Sequence, residues 1–112
     1  MLMTELAQRQ CISTAEGLKA LAPNEIEPLL TQLNEWQLDA DNSSIMHEFR
    51  FRDFYQTIAF VNAIAWIANQ QDHHPDLQVG YNRCKVHYST HAVNGLSIND
   101  FICAARIDNL GQ

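Results

Sequence analysis

Imidazole titrates nearer neutrality than any other side chain, so it can deliver or remove a proton under ordinary conditions. Three of the five histidines, His73, His74 and His91, fall at two chain reversals. His73 and His74 close a long apolar helical stretch, and Pro75 ends that helix while holding His74 extended. His91 lies just past the strand that follows. A helix and the next antiparallel strand can return these two reversals to one end of a sheet. Rings at a helix C-terminus feel the negative end of its dipole, and Asp72 adds negative charge, so both favour the protonated form. Imidazoles placed in this way suit proton transfer in both directions. The same residues also fit a plain polar turn. They do not suit zinc, because no HxxxH or HExxH spacing links His73, His74 and His91 to one another and no cysteine accompanies the His73–His74 pair.

Other polar residues have simpler readings. His47 and His87 lie within strands, where packed or cross-strand contacts are expected. Asp100 follows Ser97 by three residues and can close a capping pattern. Thr90 can serve as a strand-end hydrogen-bonding group. Cys84 and Cys103 fall on core faces and read as inert.

The elements that must carry these side chains follow from periodicity. Residues 1–23 are the least readable, with Leu6, Cys11, Ala15, Leu18 and Leu21 only loosely periodic. Asn24 reads as an N-cap for a helix through Ile26, Leu29, Leu30 and Leu33, stopping near Asn34, with Pro28 tolerated close to its start. Trp36–Leu38 and Ile45–Phe51 read as an antiparallel pair. In the second of these, Ile45, His47, Phe49 and Phe51 share one face. Asp53 with Gln56 opens the strongest helix. Its main stripe is Phe54, Ile58, Val61, Ala65 and Ala68, widened by Phe60, Ile64 and Ile67. This helix is too apolar for a large wet face, so one side should cover the sheet and the other meet another subunit. Tyr81–Tyr88 is the next strand, with Asn82, Cys84, Val86 and Tyr88 on one face, and Leu77–Gly80 can pair before it. Ser97 caps a last helix with Ile98, Phe101, Ile102 and Ala105 inward. This order predicts an α+β fold, a four-stranded antiparallel sheet with helices packed on one face.

The bulk properties set the frame. The chain has 112 residues and fits one domain over 1–112. Its net charge of −6 and scattered Lys and Arg argue against direct nucleic-acid binding. Three cysteines at wide spacing form neither a disulfide framework nor a metal site, which points to a reducing compartment. No apolar run reaches membrane-spanning length and no signal pattern opens the chain, so no membrane association and a cytoplasmic location are expected.

Asp72-His73-His74-Pro75-Asp76, Tyr81-Asn82, Val86, Ser89-Thr90-His91, Gly95-Leu96-Ser97 and Asp100 together resemble the pterin-4a-carbinolamine dehydratase family. That family is also known as the dimerisation cofactor of a homeodomain transcription factor. Phe49-Arg50-Phe51-Arg52-Asp53-Phe54, Ala59-Phe60-Val61 and the Trp36 region are similar as well, so the resemblance spans roughly residues 24–110. It implies dehydration of 4a-hydroxytetrahydropterin to quinonoid dihydropterin, recycling the cofactor of an aromatic amino acid hydroxylase, with no metal and no organic cofactor. It implies a homodimer or homotetramer. The family's acid–base histidines fall on His73, His74 and His91. Its pterin contacts fall on His73, His74, Pro75, Thr90, His91, Ala92 and Val93, and its aspartate on Asp100.

Two positions depart from the pattern. Asn69 stands where many members carry an acid, which bears on the orientation and charge of His73. Leu77 stands where animal members carry Trp, which bears on the pocket wall. Two other readings compete with the enzyme. One is a non-catalytic pterin-binding or transcription-coactivator module, and the other is a different pterin role such as handling molybdopterin. Pterin binding without turnover would mark the module.

Overall fold

The computed structural model describes residues 2–110. The expected domain span of 1–112 runs past these bounds, and residues 1, 111 and 112 lie outside the described residues. The elements are α1 (Leu2–Ala7), α2 (Pro23–Leu30), β1 (Gln37–Leu38), β2 (Ile45–Arg50), α3 (Phe54–Gln71), β3 (Asp76–Val79), β4 (Arg83–Tyr88) and α4 (Ile98–Asp108), with short 3-10 turns at Thr14–Glu16 and His91–Val93. The four strands form one antiparallel sheet in the order β1-β2-β4-β3. This is the expected α+β architecture.

The register sorts the side chains by face. Ile45 pairs with Tyr88, His47 with Val86 and Phe49 with Cys84, while Leu77 pairs with Val86 from the other side. Ile45, Phe49, Cys84, Val86 and Tyr88 are buried on the core face. Glu48, Arg50, Arg83 and Lys85 alternate onto the wetter face, as a period of two requires. His47 takes the packed role expected for it. It stacks on Phe49 at 3.8 Å between ring centres and meets Trp36 edge-on at 5.4 Å. Burial lowers its pKa, against the opposing pull of Asp108.

Several local readings shift. α1 was not legible, and it is held by Leu6 and Ala7, which are buried in the core beside α4. Six residues cannot sustain a helix unaided, so tertiary packing supplies it. α2 is capped at Ala22 rather than Asn24, because Pro23 takes the first helical position, where its missing N–H costs nothing. Glu25 closes this end by accepting from the Ala22 amide at 2.7 Å. The helix ends at Leu30 rather than near Asn34. Beyond it, Gln32 and Leu33 donate to the carbonyls of Leu29 and Leu30 in tighter turns. β4 begins at Arg83, and Asn82 is exposed rather than on the core face.

α3 starts where its capping residues predict, with Asp53 accepting from the Gln56 amide at 2.9 Å. Its buried face is Thr57, Phe60, Ile64, Ile67, Ala68 and Gln71. Phe54 and Ala65, from the expected main stripe, are exposed. A polar residue sets this rotation. The Thr57 hydroxyl shares its one hydrogen between the Asp53 and Tyr81 carbonyls, each 2.9 Å away, so its donor is satisfied when buried. The spacing 57, 60, 64, 67, 71 then becomes the core stripe. α4 is buried nearly throughout: Asn99 to Ala105 and Ile107 are all below the surface. Among the described residues, no helix is long and apolar enough to cross a membrane.

Candidate active site

The end of α3 turns sharply. Asp72 adopts φ 52°, ψ 44° and returns its amide to the Ala68 carbonyl, and the His73 amide also reaches Ala68 at 3.1 Å. This places the His73 ring against the start of α4. Its Nε2–H donates to Asp100 Oδ1 at 2.6 Å. The other carboxylate oxygen of Asp100 accepts from the Thr90 hydroxyl at 2.8 Å and from the Ser97 amide at 3.0 Å. The Ser97 hydroxyl lies 2.8 Å from the Thr90 hydroxyl and accepts from the Asn99 amide at 3.2 Å. Asp100 therefore caps α4, as its spacing from Ser97 predicts, and binds His73 as well.

Burial governs the character of this network. Asp100 is 0% exposed, and the His73 side chain is only 11% exposed. The His73 ring lies parallel to Tyr88, with ring centres 5.6 Å apart and planes 7° from parallel. Burial disfavours the imidazolium, but the hydrogen bond and charge of Asp100 outweigh it, with smaller help from Cys11 and Asp72. The His73 pKa is raised as a result. Burial also pushes the Tyr88 phenol up, so Tyr88 stays protonated and serves as a flat wall.

This shift carries a stability signature. A histidine with a raised folded pKa contributes stability that is fully present below its ordinary pKa of about 6.5 and is lost as pH rises through the raised value. The wild type should therefore lose stability relative to His73→Gln as pH climbs from about 6 through that window. Paired urea titrations across pH check this, and parallel curves for the two proteins would remove the ion pair from the account.

The remaining expected site residues separate. His74 is exposed, and its Nε2–H donates to Asn69 Oδ1 at 3.1 Å. Asn69 thus acts on His74, while His73 takes its carboxylate from Asp100. His91 is exposed at the start of the 3-10 turn His91–Val93. It lines a polar hollow of about 350 Å³ with Thr90, His87 and Asp76. Ser43 and Ser44, from the β1–β2 turn, form part of the same wall. Ala92 is exposed and Val93 half-buried in the turn, and Pro75 is half-buried between His74 and β3. Leu77 packs against the core and is not part of this hollow.

The structure therefore joins His73, Asp100, Thr90 and Ser97 in one hydrogen-bonded chain, and Thr90 leads directly into the hollow that His91 lines. Sequence reasoning gave His87 a packed or cross-strand contact, quoted Asp76 only within the family motif, and gave Ser43 and Ser44 no role at the site. The available signal was alternation: His87 lies on the same wet face as Lys85, opposite Asp76 in the strand register. A volume of this size falls within the range of small-molecule sites. Among the described residues, no group of three or more His, Cys, Asp or Glu side chains is arranged to hold a metal ion.

Comparison with known proteins converges on one group. The family model described as pterin 4 alpha carbinolamine dehydratase matches residues 19–110. A Legionella pneumophila (strain Corby) protein, provisionally named a pterin-4-alpha-carbinolamine dehydratase, is 56% identical over 109 residues and covers 96% of each chain. A Nitrosomonas eutropha protein with the same provisional name is 55% identical over 107 residues, covering 95% of this chain and 93% of its own. The crystal structure of a Brucella melitensis protein described as a transcriptional coactivator/pterin dehydratase superposes with a TM-score of 0.80 at 30% identity, covering 84% of this chain and 100% of that one. A pterin dehydratase-like protein identified as a RuBisCO assembly factor in the alpha-carboxysome shares the fold, with a TM-score of 0.59 at 22% identity over 67% of this chain and 87% of its own. On this sequence match, with the fold and the His73–Asp100 site in place, the chain belongs to the pterin 4 alpha carbinolamine dehydratase family.

Proposed function

We propose that this chain dehydrates 4a-hydroxytetrahydropterin to quinonoid dihydropterin and water, by histidine acid–base catalysis in the cytoplasm. The observation that carries this reading is the buried His73–Asp100–Thr90 chain ending beside the hollow that His91 lines. Loss of water from the 4a carbon needs one proton delivered to the departing hydroxyl and one removed from a ring nitrogen. With Nε2 held by Asp100, the Nδ1–H of a protonated His73 is the atom left to serve as the acid. The exposed His91 is the base, and His74 orients the ring. Asp100 is a positioning residue, since its carboxylate is sealed and both oxygens are committed to protein donors. The hydroxyl of Thr90 is likewise committed, leaving the backbone from Thr90 to Val93 to meet the pterin's amide-like edge. Pro75 shapes the opposite approach. The product is the form that reduction returns to an aromatic amino acid hydroxylase, and the three free thiols suit a reducing compartment.

Purified protein should accelerate dehydration of freshly generated 4a-hydroxytetrahydropterin well above the solution rate, with no added metal or cofactor. Binding of a pterin without any acceleration would replace the enzyme by a binding module.

The same reading includes a homodimer or homotetramer. Support comes from the outer side of α3, where Tyr55 is 84% and Trp66 63% exposed. Two grooves there share Ala63 and Leu110. Apolar surface of this kind gains about 25 cal/mol per Å² on burial. Sedimentation at micromolar concentration should show at least a dimer, and Trp66→Glu should shift it to smaller species. A wild-type monomer under those conditions would refute the assembly.

A further inference from the structure

The stretch from Arg9 to Ile12 lies across the two backbones that carry the His73–Asp100 pair. The Cys11 amide donates to Gln71 Oε1 at 2.8 Å, two residues before His73. The Ile12 amide donates to Asn99 Oδ1 at 3.0 Å, and Asn99 Nδ2 returns to the Ile12 carbonyl at 2.8 Å, one residue before Asp100. Arg106 Nη2 donates to the Arg9 carbonyl at 2.8 Å. These contacts hold the Cys11 sulfur 3.6 Å from the Cys103 sulfur, with Asn99 O at 3.8 Å. The two cysteines are 92 positions apart, and none of these contacts takes part in the proposed dehydration.

We infer that Cys11 and Cys103 are a redox-modified pair, oxidised by a peroxide to a disulfide that fastens the N-terminal segment to α4. Cys11 is half-buried and within reach of a small oxidant, whereas Cys103 is sealed. The Cys103 thiol, donating to the Cys11 sulfur, lowers the Cys11 pKa against the effect of burial, helped by His73 and Arg106. That contact and burial push Cys103 up. Cys11 is therefore the attacking thiolate.

Its sulfur takes one peroxide oxygen, the O–O bond breaks, and the departing hydroxide leaves as water after gaining a proton. Cys11 is then a sulfenic acid. The Cys103 sulfur attacks it, the S–O bond breaks as the S–S bond forms, and the Cys103 proton leaves with the hydroxide as a second water. In sum, two thiols give up two electrons and two protons to one peroxide. Forming the bond brings the two sulfurs from 3.6 Å to the roughly 2.05 Å of a disulfide.

The test treats the full chain with stoichiometric hydrogen peroxide, followed by intact mass and non-reducing peptide mapping. The expected product loses the mass of two hydrogens and yields a linked Cys11–Cys103 peptide. Its thermal midpoint rises by at least about 5 °C, because the link closes nearly the whole chain into a loop. Dithiothreitol reverses both changes. The His73 ring should titrate at lower pH in the disulfide form, since Cys11 can no longer ionise beside it and raise its pKa. Cys84→Ser should behave like the wild type, and Cys11→Ser should form no intramolecular link. Cys103→Ala should stop with one oxygen on Cys11 that dimedone captures. If Cys103→Ala does not fold, the wild-type map and Cys11→Ser still decide the matter. A link through Cys84, or oxygen accumulating on wild-type Cys11 while Cys103 stays free, would overturn the inference.

Discussion

Replacing Asp100 by Ala is expected to cost about 3–5 kcal/mol of stability, the scale for removing one partner of a buried ion pair. The size follows from how many groups the carboxylate serves. His73 loses the carboxylate at hydrogen-bond distance, the Thr90 hydroxyl loses an acceptor, and the Ser97 amide at the start of α4 loses its cap. Each buried polar group left unpaired costs about 1–3 kcal/mol. Asp100→Asn keeps the shape and one acceptor oxygen, so it should cost less while still lowering the His73 pKa. Urea midpoints for the three proteins measure this. A loss below about 1 kcal/mol for the Ala variant would mean that water replaces the carboxylate and that the network is not a structural anchor.

The other large effect is catalytic. General acid–base groups typically contribute a factor of about 10²–10⁴. His73→Ala should lower turnover by about a hundredfold while weakening pterin binding much less. His91→Ala should do the same at or below that size, because an exposed base can be partly replaced by water. His74→Ala should act mainly on affinity, since its ring is bound to Asn69 at the mouth of the helix turn. Turnover and pterin affinity measured separately for each variant distinguish the roles. A His73→Ala protein that loses affinity but keeps turnover would exchange the roles of His73 and His74.

Much of the scaffold follows from local patterns. Alternation from Ile45 to Phe49 places β2, Asp53 with Gln56 opens α3, Pro75 closes it, and Ser97 with Asp100 opens α4. These signals are local because capping and pleating act over two to four residues. The buried face of α3 was less legible, since a hydrophobicity pattern discounts Thr57, whose hydroxyl is satisfied only once Tyr81 folds back onto it. α1 is short, and its place depends on α4. At the site, the histidines could be picked out by type and spacing, but their partners could not. Asp100 lies 27 positions from His73, and nothing local separates its capping role from its ion-pair role. His87 and Asp76 meet at one hollow only through strand register, and Cys11 meets Cys103 only through the packing of the N-terminal segment on α4.

The central claim is that two imidazoles from separate chain segments move the protons of pterin dehydration. The most direct test is the dehydration rate of freshly generated 4a-hydroxytetrahydropterin with the His73→Ala/His91→Ala double variant, compared with the wild type and each single variant. The predicted result is a folded, pterin-binding protein whose turnover falls further than in either single variant, towards the uncatalysed rate. A double variant that turns over like the wild type would contradict the account and leave the family fold serving as a binding module.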